Sequence, residues 1–150
     1  MDITTISRNG LNRILNICTD WCAESMDPPF GGMVPSYRIE RGEFGCDAGS
    51  SYDPHNVCIV LHPERIVTLR ELLKSFIHEW YHSTQDCDEY FHLLQVHGYN
   101  RHPHEKMARR YEKVYFLLHS HLLERLSEQP TSEDRRELWW ANLRISLFGL

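Results

Sequence analysis

The stretch TLRELLKSFIHEWYHST, residues 68–84, decides how the rest of the chain is read. Thr68 and Glu71 stand three apart at its start. That spacing lets a Thr hydroxyl and a Glu carboxylate satisfy each other's free amides at a helix N-terminus. Leu69, Leu72, Leu73, Phe76, Ile77 and Trp80 then recur at helical spacing, so the segment predicts a capped amphipathic helix running to about Thr84. His78-Glu79-Trp80-Tyr81-His82 lies inside it and beside the apolar stripe. Residues four apart on a helix sit one turn above each other, so both imidazoles can reach one ion. Glu79 lies next to them, placed to take a proton from water activated by that ion. Zinc brings the pKa of such water to about 7, within reach of a carboxylate.

A hydrolytic zinc site needs a third protein ligand and one open position. Glu105 is the leading candidate, 23 residues after His82 in RHPHEKMA, residues 101–108. Pro103 suits the first turn of a helix, so Glu105 belongs to that turn. Ala108, one turn later, would let this helix approach the first closely. Glu112 is a reserve candidate on the same face. Asp88, six residues after His82, is a second reserve, although Gln85 stands where such an arrangement usually has a turn-forming Gly. His92, His97, His102 and His104 are further possible ligands, each more often exposed or an outer partner. A donor for the oxyanion of a tetrahedral intermediate would come from His102, His104, Tyr99 or Tyr111, among which the sequence does not choose. For Tyr111 a core role is favoured.

Outward from this centre, Thr5 to Glu24 reads as a first helix. Met26 to Pro35 holds three Pro and two Gly and reads as a loop. Ser36 to Glu43 reads as a strand entering a turn, and Asn56 to His62 as the best strand in the chain. Tyr90 to Val96 fits a short helix, and a helix from Pro103 ends before Pro130. Ser132 would cap a last helix containing Trp139 and Trp140. The expectation is one α+β domain over residues 1–150. In it a small antiparallel sheet of about three strands packs on the residue 68–84 helix, with further N- and C-terminal helices. The walls of the substrate pocket are expected from residues 26–35 and 85–101.

The 150 residues carry 41% hydrophobic and 25% charged side chains, which fits a globular domain rather than a disordered one. The net charge of −5 argues against a nucleic-acid partner held by a broad basic face. Arg109, Arg110 and Lys113 form at most a local patch, read as a solvated helix face. No apolar run is long enough for a membrane span. The opening MDITTISRNGLNRILNICTDW has no export-signal pattern, and the five Cys include no CxxC pair, so reduced thiols in a cytoplasmic setting are expected. Cys18 and Cys22, four apart, read as core residues rather than as ligands of a soft metal.

From Tyr52 to Glu112 the chain resembles the minimal gluzincin pattern, and more narrowly small SprT-like or phage-encoded metallopeptidases. The matching pieces are Tyr52-Asp53-Pro54, Asn56 to Pro63, Leu72 to His82, and His102 to Ala108, about 60 of 150 residues in all. The resemblance implies a zincin-like fold, with His78, His82 and Glu105 as Zn2+ ligands and Glu79 as general base. It also implies that a peptide or protein substrate lies along the Asn56–His62 strand as an added strand. The competing expectation is a non-catalytic, zinc-stabilised structural or interaction protein, such as a phage assembly or regulatory component.

Overall fold

The computed structural model describes residues 3–40, 49–118, 136 and 139. Among them the fold is α+β. Helix α1 spans Arg8–Ser25. Strands β1 (Ser36–Ile39), β2 (Ser50–Asp53) and β3 (Cys58–Leu61) follow. Helices α2 (Leu69–Ser83), α3 (Cys87–His97) and α4 (Pro103–Leu118) complete it. The helix expected from Ser132 lies outside the described residues, apart from Arg136 and Trp139.

Local chemistry sets the helix ends. Ser7 is extended and its side chain accepts from the Gly10 amide, so α1 begins at Arg8 rather than near Thr5. Thr68 accepts from the Glu71 amide at 3.2 Å and Glu71 reaches back to the Thr68 amide at 3.0 Å, the reciprocal cap expected for α2. Asp86 caps α3 by accepting from the amides of Asp88 and Glu89. Residues 26–35 are irregular apart from one 3-10 turn at Phe30–Gly32.

The sheet is mixed rather than antiparallel, with strand order β1-β3-β2. β2 pairs antiparallel with β3, Tyr52 opposite Ile59, while β1 pairs parallel with it, Tyr37 opposite Ile59. Two chain reversals separate β1 from β3, so they run the same way. A parallel pair results because β3 inserts between its predecessors instead of adding outside β2. Burial explains the insertion: all four residues of Cys58–Leu61 are buried, and the centre is the place where both faces of a strand are covered. The turn into β3 is tied by the Asp53 carboxylate, which accepts from the amides of His55 and Asn56. β3 is therefore not the edge expected of Asn56–His62. The edge nearest α2 is β2, with no further strand on its outer side among the described residues.

One core joins the layers. Leu11, Leu15, Cys18, Trp21 and Cys22 of α1 meet Leu69, Leu72, Leu73, Phe76, Ile77 and Trp80 of α2 in a cluster that includes Ile59 and Leu61. Burial pushes the Cys18 thiol up to about 12 and the Cys22 thiol the same way, so both sit in the core as neutral thiols. The Trp80 indole donates to the Asp27 carbonyl, and the Tyr111 hydroxyl donates to the Asp27 carboxylate at 2.6 Å, which ties the residue 26–35 loop to α2 and α4. No helix among the described residues is long and apolar enough to cross a membrane.

Candidate metal centre

Helix α2 presents His78 and His82 one turn apart, with their Nε2 atoms 3.2 Å from each other. Helix α4 packs along α2, and the fully buried Ala108 leaves room for the close approach. Its first turn carries Glu105 to the same point. Glu105 Oε1 lies 3.3 Å from His82 Nε2, and Oε2 lies 3.5 Å from His78 Nε2. The three residues form a group whose ligand atoms all lie within 4.8 Å of one another.

The outer nitrogens show which way the rings face. His78 Nδ1 lies 3.0 Å from Glu112 Oε2, and His82 Nδ1 lies 2.8 Å from Gln85 Oε1. Both partners are acceptors, so each Nδ1 carries a proton and donates it. The two Nε2 atoms are left facing each other and the Glu105 carboxylate. In the metal-free site a proton on His78 Nε2 keeps the two nitrogens, 3.2 Å apart, from repelling, and a metal ion could take its place. Glu105 Oε2 has no hydrogen-bond partner among the described residues. Donors each about 2.0–2.1 Å from a tetrahedral zinc stand about 3.4 Å apart. The 3.2 Å between the two Nε2 atoms matches that edge, and each Glu105 oxygen lies 3.3 or 3.5 Å from one of them, so the donor set fits a metal ion.

Glu79 is buried beside the trio and accepts from the Ser50 hydroxyl at 2.8 Å. Burial raises its pKa, and the neighbouring His78 and His82 and the Ser50 bond only partly oppose that. Glu105 shifts the other way. Burial works against its charge, but the imidazoles of His78 and His82 and the Tyr90 hydroxyl hold it well below the usual carboxylate range. For His78, burial alone would lower the pKa, yet the carboxylates of Glu105 and Glu112 outweigh it and raise the value to about 10.

At neutral pH the metal-free site therefore holds a proton on His78 that an incoming metal must displace. Uptake at pH 7.5 is expected to release about one proton, and affinity to rise with pH until about 10. The same shift stabilises the metal-free fold below the ordinary imidazole value, a contribution lost as pH rises through about 10. Calorimetry in buffers of different ionisation enthalpy measures the release. Uptake that frees no proton would contradict this charge assignment.

The reserve ligands stand elsewhere. Glu112 bonds the far nitrogen of His78, so it orients a donor rather than joining the trio. Asp88 is exposed on the first turn of α3, and His92 and His97 are exposed on the same helix. His102 is fully buried with both ring nitrogens engaged. His104 lies 3.8 Å from Glu89. Tyr111 turns its hydroxyl to Asp27 and its ring to Tyr81.

A cavity of about 600 Å³ opens beside the trio, lined by Ser50 and Tyr52 of β2 and by Gln85, Tyr90, Phe91 and Tyr99 as well as by Glu79 and the trio itself. Residues 26–35, expected on its wall, do not line it, because their ties to α2 and α4 run through Asp27. Residues 85–101, expected on the wall, do line it through Gln85, Tyr90, Phe91 and Tyr99, but the sequence reading assigned Gln85 and Tyr90 no role toward the trio and did not point to Ser50. Gln85 was detectable, since it lies three residues beyond His82, within reach of the same helix face. Tyr90 donates to Glu105 Oε1 at 2.7 Å, a contact that no short-range pattern announces.

Comparison of the chain with family models, curated proteins and solved structures gives no match. The class of the site follows from its atoms: two imidazoles and a carboxylate able to hold a metal ion, with a second carboxylate facing the same cavity.

Proposed function

We propose that this chain is a zinc-dependent metallopeptidase with a zincin-like arrangement, hydrolysing peptide bonds with Glu79 as general base. The observation that supports it most is the pairing of a three-donor site with a buried, non-ligating carboxylate on one cavity wall. Structural zinc sites are closed by four protein ligands, whereas three donors beside a cavity leave a position for a reacting molecule. Zinc suits a donor set of two imidazoles and a carboxylate.

When bound, zinc supplies Lewis acidity toward the scissile carbonyl and acidifies water. His78, His82 and Glu105 would hold it. Glu79 takes the proton from the attacking water and passes it to the leaving amine. Ser50 holds one of its oxygens, and Glu79 lines the cavity. Its raised pKa suits a group that must accept and then return a proton near neutrality. Tyr99, a phenol on the cavity wall, is the donor placed for a developing oxyanion, since the Tyr90 hydroxyl is committed to Glu105. The substrate strand pairs with the edge of β2 that no strand among the described residues covers, rather than with β3. The aromatic wall of Tyr52, Tyr90, Phe91 and Tyr99 favours a peptide or protein segment with a bulky apolar side chain near the scissile bond.

Metal loading tests the first premise. Protein stripped of metal and then given zinc is expected to retain about one ion per chain, and chelation to lower its melting temperature. Protein that retains no zinc after supplementation would overturn the reading.

A further inference from the structure

Two of the three donors share α2, so their separation is set by helix geometry. Glu105 comes from α4, and its position depends on how the start of that helix is held. Helix ends fray, and the Pro103 ring brings no amide to help. Helix α3, which connects the two, buries none of its side chains, so core packing does not fix it.

His102 and Tyr90 fill that gap. His102 is 0% exposed, and its ring bridges two elements. Its Nδ1 accepts from the His104 amide at 3.1 Å, which caps the first turn of α4. Its Nε2 lies 2.9 Å from the Tyr90 carbonyl on α3 and donates to it. The Tyr90 ring stacks on the His102 ring, with centroids 4.2 Å apart and planes 29° from parallel. The Tyr90 hydroxyl then donates to Glu105 Oε1. The chain of contacts leaves His102, crosses to α3 and returns to the first turn of α4 at Glu105. It engages one carboxylate oxygen and leaves Oε2, which has no hydrogen bond among the described residues, facing His78 Nε2 at 3.5 Å.

We infer that Tyr90 and His102 are positioning residues that fix the Glu105 carboxylate against the two imidazoles and so set the metal affinity of the site. The inference rests on the metal-binding reading above. Tyr90→Phe keeps the stacked ring and removes only the hydroxyl. His102→Asn places an acceptor where Nδ1 stood, so the α4 cap survives, but the link to the Tyr90 carbonyl is lost.

Each variant is compared with the wild type in three measurements: zinc affinity by competition with a chromophoric chelator, the absorption spectrum of the Co2+-loaded protein, and thermal unfolding of the metal-free protein. Both variants are expected to bind zinc about 10- to 100-fold more weakly, the range typical for outer partners of ligands. The cobalt bands should change in intensity, because the ligand field reports where the carboxylate stands. Metal-free unfolding should stay cooperative, which a general loss of structure would not allow. Zinc affinities and cobalt spectra indistinguishable from wild type in both variants would overturn this inference alone. A wild-type protein that takes up no zinc would overturn it together with the reading on which it rests.

Discussion

Glu79→Gln is expected to bind zinc as the wild type does and to hydrolyse peptides about 10²- to 10⁴-fold more slowly, the usual contribution of a positioned general base. That loss corresponds to about 3 to 5 kcal/mol of transition-state stabilisation. The substitution is nearly isosteric, and the amide oxygen can still accept from Ser50, so the wall of the cavity keeps its shape. What disappears is the ability to take up a proton. Glu79 is not one of the three grouped donors, so metal stoichiometry should be untouched. The wild type is first given a peptide library, and the cleaved sequences are read by mass spectrometry. Initial rates on the best of them then compare the two proteins, with zinc content determined on the same samples. A Gln variant as fast as the wild type would refute the base assignment while leaving the metal site standing.

Glu105→Ala is expected to weaken zinc binding by more than the 10- to 100-fold anticipated for outer partners such as Glu112. Glu105 is the one donor delivered from α4, and its carboxylate lies against both Nε2 atoms. Without it two imidazoles remain, too few for a stable tetrahedral site. Glu112→Gln supplies the internal control. It still accepts from the His78 Nδ1–H but has lost its charge, so it should fall in the milder range. Competition titrations of the two variants side by side give the comparison. If Glu105→Ala binds zinc as tightly as the wild type, Glu105 is not a ligand.

The parts of this architecture that the sequence displayed are those written in short-range code. The Thr68–Glu71 cap, the stripe from Leu69 to Trp80 and the four-residue interval between His78 and His82 each depend on neighbours along one helix, and α2 appears as expected. Glu105 was found because Pro103 marks a helix start. Strand direction was not legible. Four-residue strands such as Ser36–Ile39 record which faces are buried but not which way a partner runs. The apolar run Cys58–Leu61 did carry a sign of its central position, since strands covered on both faces read as continuous rather than alternating. The helix α3 ends one residue past the expected Val96 and starts three before Tyr90, because Asp86 supplies a cap that the apolar pattern does not show. Ser50, Tyr90 and the double engagement of His102 depend on chain segments meeting in space. Only the folded molecule reveals them.

Helix α3 lies over the cavity without sinking any side chain into the core, and Phe91 and Val96 stand half or more exposed on it. Its outward residues can be exchanged at little cost to global stability, while Asp86 and Tyr90 hold its first turn in place. The chain thus separates a packed foundation from a revisable rim. Descendants of this sequence could change what they admit to the cavity by drift along one helix, without renegotiating the fold beneath it.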